Sequence, residues 1–144
     1  MTIRNTALIL VLFAGLSMLL SGCQERTQIP ASEMRRGIDR SSHSLMQGIN
    51  QRDLDRARVH VSPEAEGKFN ELLDGLREGR YDQMLISSDG IDIDFRRGRA
   101  TVDVNYMKHQ PGGRRELRNV GADTHLWIFE GGAWSWHGPL PRSG

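Results

Sequence analysis

The hydrophobic pattern changes period near residue 80, and that change limits the folds open to this chain. Before it, apolar residues recur at helical spacing. Met34, Ile38, Leu45, Met46 and Ile49 mark one stripe, and Phe69, Leu72, Leu73 and Leu76 mark another. After it, apolar residues alternate: Ile91, Ile93 and Phe95, then Ala100, Val102, Val104 and Tyr106. A 3.6-residue period buries one side of a helix, and a two-residue period buries one face of a strand. Helices followed by a run of strands make an α+β domain, with N-terminal helices covering an antiparallel sheet.

The spacing predicts a first helix from about Glu33 to Asn50, with Ser32 as its cap and with Gly37 and Gly48 weakening it. Gln51 to Ala57 reads as a shorter helical stretch on Leu54, and Val59 and Val61 as an extended link. Ser62-Pro63 is the clearest helix start in the chain, with Glu64 and Glu66 in a first turn whose dipole favours them. Gly79 is the expected stop.

Met84 to Ile86 then reads as a short strand, and Asp89-Gly90 as a turn. Arg97-Gly98 joins two alternating strands into a hairpin. Lys108 to Asp123 is rich in Gly, Pro and charge and is expected to include a long loop. Thr124 to Phe129 is apolar on both faces, which suits an inner strand. Glu130-Gly131-Gly132 turns the chain into a last strand that carries Trp134 and Trp136 and ends near Pro139.

The N-terminus has a separate character. Arg4 precedes an uncharged run from Ala7 to Leu20. That run falls short of the ~20 residues that span a bilayer and suits the core of a signal peptide. It ends in Leu20-Ser21-Gly22-Cys23, which resembles the bacterial lipoprotein box. The resemblance implies that residues 1–22 are removed and that Cys23 is lipidated and acylated, residues 23–32 serving as a tether to a single domain over residues 33–140. Two or more acyl chains hold a protein firmly where one does not. The other readings are an N-terminal transmembrane helix and a secreted chain with an incidental cysteine. Cys23 is the sole cysteine, so an internal disulfide is excluded. Gln24, rather than aspartate, follows it. By the enterobacterial rule this implies a bacterial envelope protein anchored in the outer membrane and facing the periplasm.

The segments Ser44 to Leu54, Val61 to Ala65 and Phe69 to Leu73, followed by aromatic strands, resemble the nuclear transport factor 2-like, or cystatin-like, superfamily. The resemblance spans about residues 33 to 138. It implies a curved sheet forming a cone with the helices, and a homodimer through the sheet is one option. Its members include isomerases, dehydratases, ligand carriers and domains without known chemistry, so fold alone does not choose a function.

The formal net charge is +1, from 19 basic and 18 acidic residues, which does not suit a nucleic-acid partner. None of His43, His60, His109, His125 and His137 has the spacing of a structural zinc site, and no cofactor is implied. Gly112-Gly113 lacks the context of a phosphate loop, and Arg114, Arg115 and Arg118 form a loose basic loop patch. The catalytic candidates are His125, which shares a strand face with Trp127 and Phe129, and the aspartates Asp92, Asp94 and Asp103. An acid–base pair would need two such groups close and shielded. Trp127, Phe129, Trp134 and Trp136 are candidates for lining a ligand site, although aromatics at such spacing equally fill a core.

Three functions fit these observations. One is a non-catalytic domain that binds an envelope protein or a small apolar ligand, with membrane lipid held through Cys23. The second is a small cone-shaped enzyme of the isomerase or dehydratase kind using a His/Asp pair. The third is a structural envelope subunit.

Overall fold

A computed structural model describes residues 28–112 and 115–142. The leader, Cys23, Gln24 and the tether up to residue 27 lie outside the described residues. The order is helix α1 (Ala31–Asn50), helix α2 (Leu54–Arg58), a 3-10 turn (Pro63–Ala65), helix α3 (Glu66–Arg77) and strands β1 (Gln83–Asp94), β2 (Arg99–His109), β3 (Leu117–Glu130) and β4 (Ala133–Pro139). The strands form an antiparallel meander in the order β1-β2-β3-β4. This is the α+β arrangement that the change of period predicts.

Helix α1 starts earlier than the spacing suggests. Pro30, not Ser32, holds the cap position, and its carbonyl accepts from the N–H groups of Glu33 and Met34 at 2.9 and 3.1 Å. The fixed φ of proline (−58° here) sets the entry without a side-chain cap. The buried face of α1 is Met34, Ile38, Ser42, Leu45, Met46 and Ile49, with Gly48 beside α2. A Cβ on Gly48 would sit 2.9 Å from both the Ala57 nitrogen and the Asp53 carbonyl oxygen. The residue that weakens α1 as a helix is therefore what lets α2 approach it. Asp53 caps α2 by accepting from Arg56 N–H at 3.2 Å.

Ser62 stands at the cap position before Pro63, but through its backbone: its carbonyl accepts from Ala65 N–H at 2.9 Å and its side chain makes no capping bond. The link before it also guards the sheet. Trp136 N–H donates to His60 O at 2.7 Å, and Ser62 N–H donates to Trp136 O at 3.0 Å, so residues 60–62 lie parallel along the outer side of β4. At the other edge, the Asn50 side-chain amide exchanges two hydrogen bonds with the Met84 backbone, at 2.9 and 2.8 Å.

Two expectations for the strands need correction. Asp89-Gly90 is not a turn between strands; it lies within the single strand β1, where pairing jumps from Ile86↔Val104 to Ile91↔Val102. Three extra residues bulge out, with Asp89 at φ 55°. A Cβ on Gly90 would lie 2.8 Å from Ser87 O, so the close fold of the bulge requires glycine. An odd insertion reverses strand parity, which is why Met84 and Ile86 share the core face with Ile91 and Ile93. The long loop is the second correction. Strand β3 begins at Leu117, and its residues as far as Asp123 pair with β2, except Val120, which bulges out where the register shifts between Tyr106 and Met107. Their polarity reflects an exposed strand end and not a loop.

The helices cover one face of the sheet, α1 on β1 and β4 and α3 on β4. Between them lie Phe69, Leu73, Met84, Ala100, Val102, Val104, Trp127 and Trp136, all buried. Each large apolar side chain removed from water in this way contributes roughly 1.5–3 kcal/mol. Trp134 N–H is satisfied by the Met34 carbonyl at 2.9 Å, which ties β4 to the first turn of α1.

Candidate functional site

The same alternation that fills the core places four polar side chains on its covered face. Val102 pairs with His125, Val104 with Asp123 and Tyr106 with Gly121. Gly121 offers no side chain opposite Tyr106, and the Tyr106 ring reaches diagonally to Asp123 and His125. Trp136 N–H donates to His125 Nδ1 at 3.0 Å. An indole nitrogen can only donate, so Nδ1 is the acceptor and the imidazole proton is on Nε2. Nε2–H then donates to Tyr106 Oη at 3.2 Å, and Tyr106 O–H donates to Asp123 Oδ2 at 3.0 Å. Arg142 Nε donates to Asp123 Oδ1 at 3.2 Å. The result is a relay whose donors run from the core through Trp136, His125 and Tyr106 to Asp123, where the surface Arg142 donates from the other side.

Burial sets the charge state of this relay. His125 is fully buried, and loss of hydration lowers its pKa to about 4 against the opposing pull of the Asp123 charge. The imidazole is therefore neutral near pH 7. The Tyr106 hydroxyl is raised well above the usual phenol range, first by burial and then by the charge and hydrogen bond of Asp123. Tyr81, whose hydroxyl donates to the Leu72 carbonyl, is pushed up to about 12 by burial, with Arg52 and Arg80 opposing. The ring centroids of Tyr81 and Tyr106 lie 4.9 Å apart.

These two rings line a cleft of about 340 Å³ between α3 and the far ends of β2 and β3. Leu72, Val120 and Pro139 add apolar wall, and Lys68, Glu71, Arg80, Asp123 and Arg142 add charge. Its volume falls within the range of small-molecule sites. A second, wider hollow of about 600 Å³ shares Asp123 and Arg142 but otherwise opens over Ser87, Asp103, Ala122 and Thr124. The first has the tyrosine walls and the relay, and it is the better candidate.

The structure does not bring the expected acid–base pair together. His125 points into the core, whereas Asp92, Asp94 and Asp103 are exposed. Asp94 accepts from the N–H groups of Arg96 and Arg97 in the hairpin turn, and Asp103 accepts from the Thr124 hydroxyl at 2.7 Å. Trp127, Trp134 and Trp136 are buried, and the Phe129 ring lies tilted against Trp134 with centroids 5.2 Å apart. None of these four lines the cleft. The Trp127 indole N–H has no partner at all among the described residues.

Tyr106, Asp123 and Tyr81 did not stand out in the sequence. Tyr106 reads there as the last apolar step of a strand, and Asp123 as part of a loop. The available signal was parity: Asp123, His125 and Trp127 occupy alternate positions of one strand face once β3 is extended back to Leu117.

Among the described residues no group of three or more His, Cys, Asp or Glu is placed to hold a metal ion. No described helix is long and apolar enough to cross a membrane. Comparison with known protein families finds no model that matches this chain, and comparison with curated proteins finds no similar sequence. What the fold and the cleft define is a class: a small α+β domain with helices on one face of a four-stranded antiparallel meander and a half-apolar cleft at one end.

Proposed function

We propose that this chain is a lipid-anchored protein of the bacterial envelope whose domain binds a small ligand in the α3–sheet cleft without transforming it. The observation that carries the non-catalytic part is the state of His125. Both of its ring nitrogens are bonded inside the relay and the ring is fully buried. A general base must reach the proton it removes, directly or through one water. Asp123 has one oxygen on Tyr106 and the other on Arg142. The relay thus works as a polar strut that fixes the cleft wall, in the manner of other fully satisfied buried networks. Attachment through Cys23, the outer membrane as its site and a nuclear transport factor 2-like ancestry belong to the same proposal and rest on the sequence resemblances.

Native mass spectrometry of the purified full-length chain tests binding: a retained small molecule supports it, and a co-purifying envelope protein instead transfers the role to assembly. For the anchor, cells treated with globomycin are expected to accumulate a form that still bears residues 1–22. Processing unaffected by globomycin, with a free thiol at Cys23, overturns it.

One observation favours an enzyme as a second reading: Tyr106 lines the cleft with Asp123 and His125 bonded to its hydroxyl. Turnover of a cleft-bound compound that disappears in Tyr106→Phe, with binding retained, would establish that reading over the first.

A further inference from the structure

We infer that the cleft takes a small organic acid with a flat apolar body, its anionic group received by Arg142 and Lys68 at the mouth; this rests on the cleft-binding reading above. The walls are tyrosines that behave as hydrocarbons. Tyr81 gives its hydroxyl to the Leu72 carbonyl and Tyr106 gives its own to Asp123, so each presents ring surface to the cleft and no free donor. Leu72, Val120 and Pro139 extend that surface, and Val120 is 42% exposed. An apolar body covers such a wall at the least cost in unpaired polar groups.

The mouth has cationic capacity left over. Asp123 is matched on both oxygens, while Arg142 uses only Nε to meet it. The terminal nitrogens of that guanidinium have no partner among the described residues. They form the planar edge that pairs with a carboxylate through two parallel bonds. Lys68 lies across Gly138 and donates to a carbonyl, that of His137 at 3.4 Å, and to no carboxylate among the described residues. Arg80, by contrast, is held by Glu78 at 3.0 Å. Glu71 is the opposing charge at the mouth. It favours an acid bearing one anionic group over a polyanion.

The test is a titration of the isotopically labelled full-length chain with naphthalene-2-carboxylate and with its uncharged isostere, naphthalene-2-carboxamide. The amide resonances of Gly75, Val120 and Gly121 report on the cleft. Saturable shifts with the carboxylate at an affinity about tenfold or more above the carboxamide are expected. Arg142→Gln, on a side chain that is 75% exposed, should remove most of that margin. Val120→Asp should repel the carboxylate selectively. Equal affinities for the two compounds, or a margin indifferent to Arg142→Gln, overturns the assignment of an acid while leaving the cleft as a binding site. No shift at these amides with either compound overturns both.

Discussion

The two faces of the sheet use polar residues in opposite ways. On the covered face the polar groups are few, and five are matched in sequence from core to surface: Trp136, His125, Tyr106, Asp123, Arg142. On the open face they are many and locally paired, as Asn105 with Ser87 at 2.9 Å, Asn119 with Asn105 at 3.0 Å and Thr124 with Asp103 at 2.7 Å. An unmatched polar group costs little where water can replace its partner and much where it cannot. The same residue types therefore act as interchangeable surface on one side and as fixed structure on the other. A candidate site chosen by residue type alone, such as His125 with Asp92, mixes the two environments.

The largest expected effect that would test this contrast is Trp136→Ala. It removes a fully buried ring from between Phe69 and His125 and strips His125 Nδ1 of its donor. Urea denaturation should show a loss of about 3–5 kcal/mol. A loss below about 1 kcal/mol would mean that the covered face is far less tightly filled than described.

Acid comes next. An unfolded chain holds its histidine near the ordinary value of ~6.5, whereas folded His125 titrates at about 4. Between those values the unfolded state takes up a proton that the folded state refuses. Stability from this group is thus complete above pH ~6.5 and is lost as pH falls toward about 4, a total of about 3 kcal/mol. Ring-proton resonances of His125 followed by NMR separate it from the carboxylates. A midpoint near 6.5 would break the contrast by showing that water reaches the imidazole.

A paired substitution sharpens it. Trp136→Phe and Trp127→Phe both shrink a fully buried ring, yet only the first removes a donor in use, because the Trp127 indole N–H has no partner among the described residues. The first should cost about 1–2 kcal/mol more than the second. Equal costs would show that the Trp136–His125 bond adds nothing net. The smallest effect belongs to the open face: Asp92→Asn should shift stability by no more than about 0.5 kcal/mol. A larger loss would place Asp92 in a contact that its exposure denies.

Much of the fold was legible because burial follows period. Met34, Ile38, Leu45, Met46 and Ile49, and the alternation from Ala100 to Val104, are buried as their spacing requires. Two things hid the site. The bulge at 87–90 reverses parity inside one strand, and a reader who sees Asp-Gly between two alternating runs finds a turn there. Residues 117–119 and 121–123 pair with β2 although little in them is apolar, because backbone bonds to a formed neighbour need no hydrophobic pattern at the sheet's end. With that segment assigned to a loop, Asp123 had no face to share with His125, and Tyr106 had no partner to cross toward. The relay is tertiary, and its members are set by pairing register, which composition does not reveal.

The treatment of the two outermost strands has a consequence for how this protein behaves at high concentration. Exposed strand edges are templates on which other chains can add. Here a backbone segment runs along one edge at Trp136, and a side-chain amide imitates a neighbouring strand at Met84 on the other. Each is a stopper supplied by the helical half of the chain. Loosening the helices would therefore uncork both sides at once, and the first sign of partial unfolding should be fibrillar or stacked association rather than a soluble intermediate.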